Sequence, residues 1–118
     1  MTYRRVQLEW LEGICIVSLV DSLLLDRSLI SELCEDLLLL IDEYRPTKLL
    51  LCFDGVIRSC TEIITILLRV RKNLAEYGGE MALCDMCAEV REVFRILRLD
   101  DAMFKIYSSR PVALSAIA

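Results

Sequence analysis

Two short segments carry side chains whose types and spacing could do chemistry: Ser59-Cys60-Thr61-Glu62 and Cys84-Asp85-Met86-Cys87. The second is a C-x-x-C at an expected strand-to-helix junction, where a helix N-terminus can lower a thiol pKa and favour thiol-disulfide exchange between Cys84 and Cys87. It lacks a Trp-Cys-Gly-Pro-Cys context. As a metal site it is only half complete, with Cys60 and Cys52 the conceivable further ligands. The first segment offers two hydroxyls, Ser59 and Thr61. At the start of an expected helix, a phosphate on Thr61 is stabilised by free N–H groups and the positive end of the helix dipole. The competing reading is structural. S-x-x-E is a capping box, in which Ser59 caps the helix, Glu62 reaches back and Thr61 is an ordinary first-turn residue.

Other catalytic chemistry finds no residues. The chain has no histidine, which removes Ser-His-Asp and Cys-His catalysis, histidine phosphotransfer and the common zinc enzymes. It has no glycine-rich phosphate loop. The carboxylate pairs Glu35 and Asp36, Asp42 and Glu43, and Asp100 and Asp101 are adjacent in sequence, so on a helix they diverge and read as solvated faces. A non-enzymatic protein without a cofactor is expected. A small-ligand carrier with a pocket near the loop has no sequence feature of its own.

Composition narrows the partner class. A net charge of −4, with bases scattered among acids, gives no basic stripe for phosphates, so nucleic acid is excluded and a protein partner is expected. The apolar runs 37–41 and 49–53 are fenced by charges and fall well short of the roughly 20 residues a membrane span needs. The N-terminal stretch has no apolar core with a small-residue cleavage site, so cytoplasmic residence is expected. Of six cysteines, Cys15, Cys34, Cys52 and Cys84 sit among aliphatic neighbours and read as reduced core thiols. At 118 residues and 56% hydrophobic, the chain suits one packed domain over residues 1–118. Its oligomeric state stays open, a homodimer included.

The elements that must position these residues follow from periodicity. Residues 3–11 and 14–20 are β-rich runs around Glu12-Gly13, a hairpin signal. Residues 26–44 show the wide apolar stripe of a helix packed on a sheet, with Asp26 or Ser28 as cap, ending at Arg45-Pro46. Residues 49–53 read as a central strand, and Asp54-Gly55 opens a loop that runs into a helix over 62–77, stopped by Gly78-Gly79. A strand at 81–84, a helix at 88–97, a short strand at 103–107 and a small helix at 111–117 complete the chain. The fold class is α/β, in the order β-β-α-β-α-β-α-β-α, with a mixed sheet of about four to five strands. Trp10 and Tyr3 mark an expected sheet edge, and at least one of them should cover the core.

Four strings carry a family resemblance: L-L-L-C-F-D-G-V (49–56), G-G-E-M-A-L-C (78–84), E-V-R-E-V-F (89–94) and L-D-D-A-M-F-K-I-Y (99–107). They resemble L-V-L-D-L-S-G-V, G-G-x-L-x-L, x-V-x-x-V-L and L-D-x-L-F-x-I-Y of the STAS domain, the sulfate-transporter and anti-sigma-factor-antagonist family. They occur in the same order over essentially the whole chain. The resemblance implies a bacterial regulator of transcription that signals by binding other proteins.

In the antagonists of that family the loop ends in D-S-S-G-L or D-S-T-G-L. The hydroxyl residue after the aspartate is phosphorylated by a kinase that is also the anti-sigma factor. Spacing from Gly55 and from Gly78 puts Cys60 at that aspartate, Thr61 at the phosphoacceptor, Glu62 at the next hydroxyl and Ile63 at the glycine. Only the acceptor keeps its chemistry. The resemblance therefore implies docking to a kinase-type anti-sigma factor through Asp54, Gly55, Arg58, Ser59, Cys60, Thr61 and Glu62, switched by phosphate on Thr61. Two alternatives remain: a phosphorylation-independent scaffold, with Glu62 supplying a permanent charge, and a thiol redox protein using Cys84 and Cys87.

Overall fold

The computed structural model describes residues 3–100 and 103–118, so Asp101 of the Asp100-Asp101 pair lies outside the described residues. β1 (Val6–Leu11) and β2 (Ile14–Leu19) form the antiparallel hairpin. Its two-residue turn places both Glu12 (φ 48°) and Gly13 (φ 83°) in the left-handed region, as the twist-compatible turns of tight hairpins require. After β3 (Leu23–Leu24) come α1 (Arg27–Tyr44), β4 (Lys48–Cys52), β5 (Arg58–Ser59) and α2 (Glu62–Ala75). They are followed by β6 (Glu80–Cys84), α3 (Ala88–Ile96), β7 (Lys105–Tyr107) and α4 (Arg110–Ile117).

The main sheet has five strands in the order β1-β2-β4-β6-β7, parallel except for the hairpin. β4 lies at its centre, and Leu49, Leu50, Leu51 and Cys52 are all buried. Such a continuous apolar run is what two covered faces demand. One face, through Cys15, Val17, Leu49, Leu51 and Leu83, packs on α1, α2 and α3. The other, through Ile14, Ile16, Leu50, Cys52, Ala82 and Cys84, is covered by α4 with Ala113 at its centre. The β-β-α-β-α-β-α-β-α order holds, with β3 and β5 added as a separate two-stranded parallel pair.

Caps fix the helix ends. Asp26 Oδ accepts the N–H groups of Ser28 and Leu29 at 2.7 and 3.2 Å, making it rather than Ser28 the cap of α1. Arg45, forced out of right-handed helical geometry by Pro46, adopts φ 46° and lays its guanidinium 4.4 Å from the Tyr77 ring centre. At Gly79 a Cβ would lie only 3.0 Å from the Pro46 carbonyl and 3.1 Å from that of Leu74, so a side chain there would press on the backbone where α2 turns into β6.

Three expectations are corrected here. Asp36 is not on a solvated face: it is buried, and its Oδ2 accepts the backbone N–H groups of Arg4 and Arg5 at 2.9 and 2.7 Å. Cys34 is half-buried at the rim of the core rather than inside it. Tyr3 lies before β1 rather than on the first strand; it covers the core, as expected of one of the pair, and donates its hydroxyl to Glu43, whereas Trp10 is exposed and meets Tyr44 edge-on at 5.9 Å.

Candidate functional site

The segment of residues 54–62 leaves the C-terminal end of β4 and enters α2. At its root the Phe53 N–H donates to the Cys84 carbonyl, and the Val56 N–H closes a turn on the Phe53 carbonyl at 2.9 Å. Val56 is inserted into the core. Beyond it the chain is held by β3: the Ile57 N–H donates to the Ser22 carbonyl at 2.9 Å and the Cys60 N–H to that of Leu24 at 3.0 Å. Leu23 and Leu24 pair in parallel with Arg58 and Ser59. The small β3-β5 sheet thus fixes the path of a loop that would otherwise be free.

Side chains along this path divide sharply. Asp54, Gly55, Ile57, Arg58, Thr61 and Glu62 are exposed, while Ser59 and Cys60 are half-buried. The capping box does not form. Ser59 lies inside β5, and its hydroxyl donates to the Cys60 carbonyl at 3.1 Å. The cap position belongs to Thr61, whose side chain makes no capping hydrogen bond, so its hydroxyl points at no backbone partner. The first turn closes through Ile63 and Ile64 N–H groups on the Cys60 and Thr61 carbonyls. Glu62, at the start of α2, approaches Arg27 at 3.7 Å.

Sequence reasoning missed the apolar border of this surface. Ile57 is 60% exposed, and Leu23 and Leu25 of the adjoining β3 segment are both 47% exposed. The signal was the bare aliphatic pair Val56-Ile57 in a loop, of which only one member can face inward. A cavity of about 450 Å³ lies elsewhere, at the opposite end of the parallel strands, among Lys48, Arg71, Glu80, Lys105 and Tyr107. It does not adjoin the loop.

A hairpin, three strand-helix units, a partly exposed loop at the central strand's end and a lone helix on the far face make a specific architecture. A family model described as the STAS domain matches residues 5–113. The chain belongs to the STAS domain family. Solved structures share its fold. It is 23% identical to a STAS-domain anti-sigma-factor antagonist protein from Planctomyces limnophilus, with a TM-score of 0.82 over 96% of this chain and 97% of that one. For an anti-sigma factor antagonist from Mycobacterium paratuberculosis the identity is 19% and the TM-score 0.81, covering 95% and 92% of the two chains. For the Bacillus cell fate determinant SpoIIAA in its phosphorylated form they are 16% and 0.70, covering 96% and 99%. Comparison with curated proteins gave no match.

In this STAS domain the C-x-x-C does not assemble as spaced. Cys84, at the end of β6, belongs to the α4 face of the sheet, where its thiol donates to Cys52 Sγ at 3.4 Å. Cys87, the cap residue of α3, packs on the opposite core and directs its thiol to the Ile57 carbonyl at 3.7 Å. The sheet separates the two. Among the described residues no helix is long and apolar enough to cross a membrane.

Proposed function

We propose that this STAS domain is a non-enzymatic, cytoplasmic regulatory module of the anti-sigma-factor-antagonist type. In this reading it binds a kinase-type anti-sigma factor through Asp54, Gly55, Ile57, Arg58, Ser59, Cys60, Thr61 and Glu62, and phosphate on Thr61 weakens the complex. The observation that carries this reading is the exposed Thr61 at the N-terminus of α2, with a hydroxyl that serves no cap. A phosphate there gains from the helix dipole and adds roughly −1.5 to −2 charges to the surface, enough to turn docking into repulsion. The fold shared with antagonist structures supports the partner class. Glu62 and Cys60 beside the acceptor set the recognition apart from the D-S-S-G-L pattern.

The test is to incubate the protein with its cognate kinase and ATP, then measure partner capture by wild type, Thr61→Ala and Thr61→Asp. Phosphate that survives Thr61→Ala combined with Ser59→Ala rules out this site. Partner capture unaffected by either Thr61 change favours the permanent scaffold, in which Glu62 supplies the charge.

A further inference from the structure

We propose that Cys52 and Cys84 form a redox-active dithiol beneath α4, which a peroxide converts to a disulfide joining β4 to β6. The two are the last residues of neighbouring parallel strands and are partners in register. Both are fully buried, with Sγ atoms 3.4 Å apart. Adjacent strands run about 4.8 Å apart, inside the ~4.4–6.8 Å Cα separation that disulfides span.

The surroundings make the two sulfurs unequal. The Cys84 S–H donates to Cys52, and the Arg110 guanidinium lies beside it; both favour the Cys52 thiolate against the opposing effects of burial and Asp54. The same hydrogen bond, burial and Asp85 keep Cys84 protonated. Arg110 is held in place by Glu9 at 2.9 Å and the Ser18 hydroxyl at 3.2 Å. Asp85 brings a third donor atom within 4.8 Å of both sulfurs, which invites a metal ion. The guanidinium opposes a cation there and suits a thiolate.

Cys52 is thus the attacking sulfur and Cys84 the resolving one. The Cys52 thiolate attacks one peroxide oxygen, the O–O bond breaks, and the other oxygen leaves as hydroxide and takes a proton to become water. The resulting sulfenic acid on Cys52 is attacked by Cys84 as it loses its proton. The S–S bond forms, the S–O bond breaks and a second water leaves. Two thiols and one peroxide give one disulfide and two waters. Access requires local opening of α4, an eight-residue helix with Ala113 as its sole fully buried residue.

The experiment treats the reduced full-length chain with dilute hydrogen peroxide, blocks free thiols with an alkylating agent and maps peptides by mass spectrometry in acid. The expected result is a loss of about 2 Da, reversed by dithiothreitol, with Cys52 and Cys84 in one cross-linked peptide pair. The link persists in Cys87→Ser. In Cys84→Ser it is lost, and Cys52 instead gains about 16 or 32 Da. A link between Cys84 and Cys87 overturns the proposal, as does unmodified Cys52 at peroxide levels that oxidise Cys60. Stoichiometric Zn²⁺ retained by the reduced protein and shielding both thiols also overturns it. Mapping of the wild type alone decides the matter if a variant fails to fold.

Discussion

The Asp36 carboxylate accepts the backbone N–H of Arg5 at 2.7 Å, tying the chain entering β1 to the middle of α1. The same oxygen takes the Arg4 N–H at 2.9 Å, while the Arg4 and Arg5 side chains pair outside with Glu35 and Glu32. Hydrogen bonds to a charged acceptor contribute about 1.5–3 kcal/mol each. Asp36→Ala strands both N–H groups, so its urea midpoint should reflect a loss of about 2–4 kcal/mol. Asp36→Asn keeps an acceptor and loses less. Arg4→Ala leaves both N–H groups on Asp36 and removes a half-exposed guanidinium that reaches Glu35 at 2.7 Å and Asp36 at 3.9 Å, so it should lose less than Asp36→Ala, about 1 kcal/mol.

The sequence announces α1 and hides the burial of Asp36. The helix announces itself through Leu33, Leu37, Leu40 and Ile41 at helical spacing, a pattern each residue carries locally. Asp36 is buried because of groups 31 and 32 positions away, which no local pattern encodes. β3 and β5 have no local signal for the same reason: two residues each, they are strands only because they pair with each other. At the candidate site, the loop's place after the central strand and the exposure of Thr61 and Glu62 were legible from strand-helix spacing. The failure of the Ser59 cap was not, since it follows from β3 drawing Ser59 into a strand. The C-x-x-C spacing does not reveal which cysteines meet, because contact between them is set by strand register, which joins Cys84 to Cys52.

Alkaline stability should report the burial of Cys15. Burial pushes this thiol up to about 12. An unfolded thiol titrates near 8.5. The folded value is the higher one, so the stabilisation is complete below about pH 8.5 and is lost as pH rises towards 12. One such group contributes a slope of about 1.4 kcal/mol per pH unit across that window. Urea melts at several pH values between about 8.5 and 10.5 should show stability falling with pH in wild type. The fall should be shallower in Cys15→Ala, whatever its absolute stability.

Acid sensitivity has a counterpart at Glu32. Its hydrogen bond from Arg5 holds the carboxyl below its ordinary range, against a smaller opposing effect of burial. The folded value is the lower one, so the stabilisation is present above the unfolded carboxylate pKa and disappears as pH falls through the folded one. Glu32→Gln should flatten the acid limb of a stability-against-pH curve while leaving the alkaline limb unchanged. Equal acid limbs in the two proteins would show that the pair contributes nothing.

Ile57 should matter to docking and not to folding. Its side chain is mostly in water, so Ile57→Asp is expected to shift stability by less than about 0.5 kcal/mol. If the loop is the interface, a charge at this apolar position should weaken partner binding by at least about tenfold, measurable by calorimetry. Leu23→Asp, on the neighbouring strand, should act in the same direction. Leu39→Asp, on an exposed position of α1, serves as the control and should leave affinity unchanged.

The caps of α1 and α2 provide the sharpest separation between a structural and a signalling hydroxyl. Asp26 bonds two N–H groups at the start of α1, so Asp26→Ala should cost about 1 kcal/mol. Thr61 holds the equivalent position in α2 without a side-chain bond, and the Ser59 hydroxyl reaches only the Cys60 carbonyl. Neither can be stabilising α2 as a capping box does. Thr61→Ala and Ser59→Ala should therefore each lie within about 0.5 kcal/mol of wild type in urea melts. A loss near 1 kcal/mol at Ser59 would restore the capping box. The same loss at Thr61 would assign its hydroxyl to the fold and remove the ground for reading it as a phosphoacceptor.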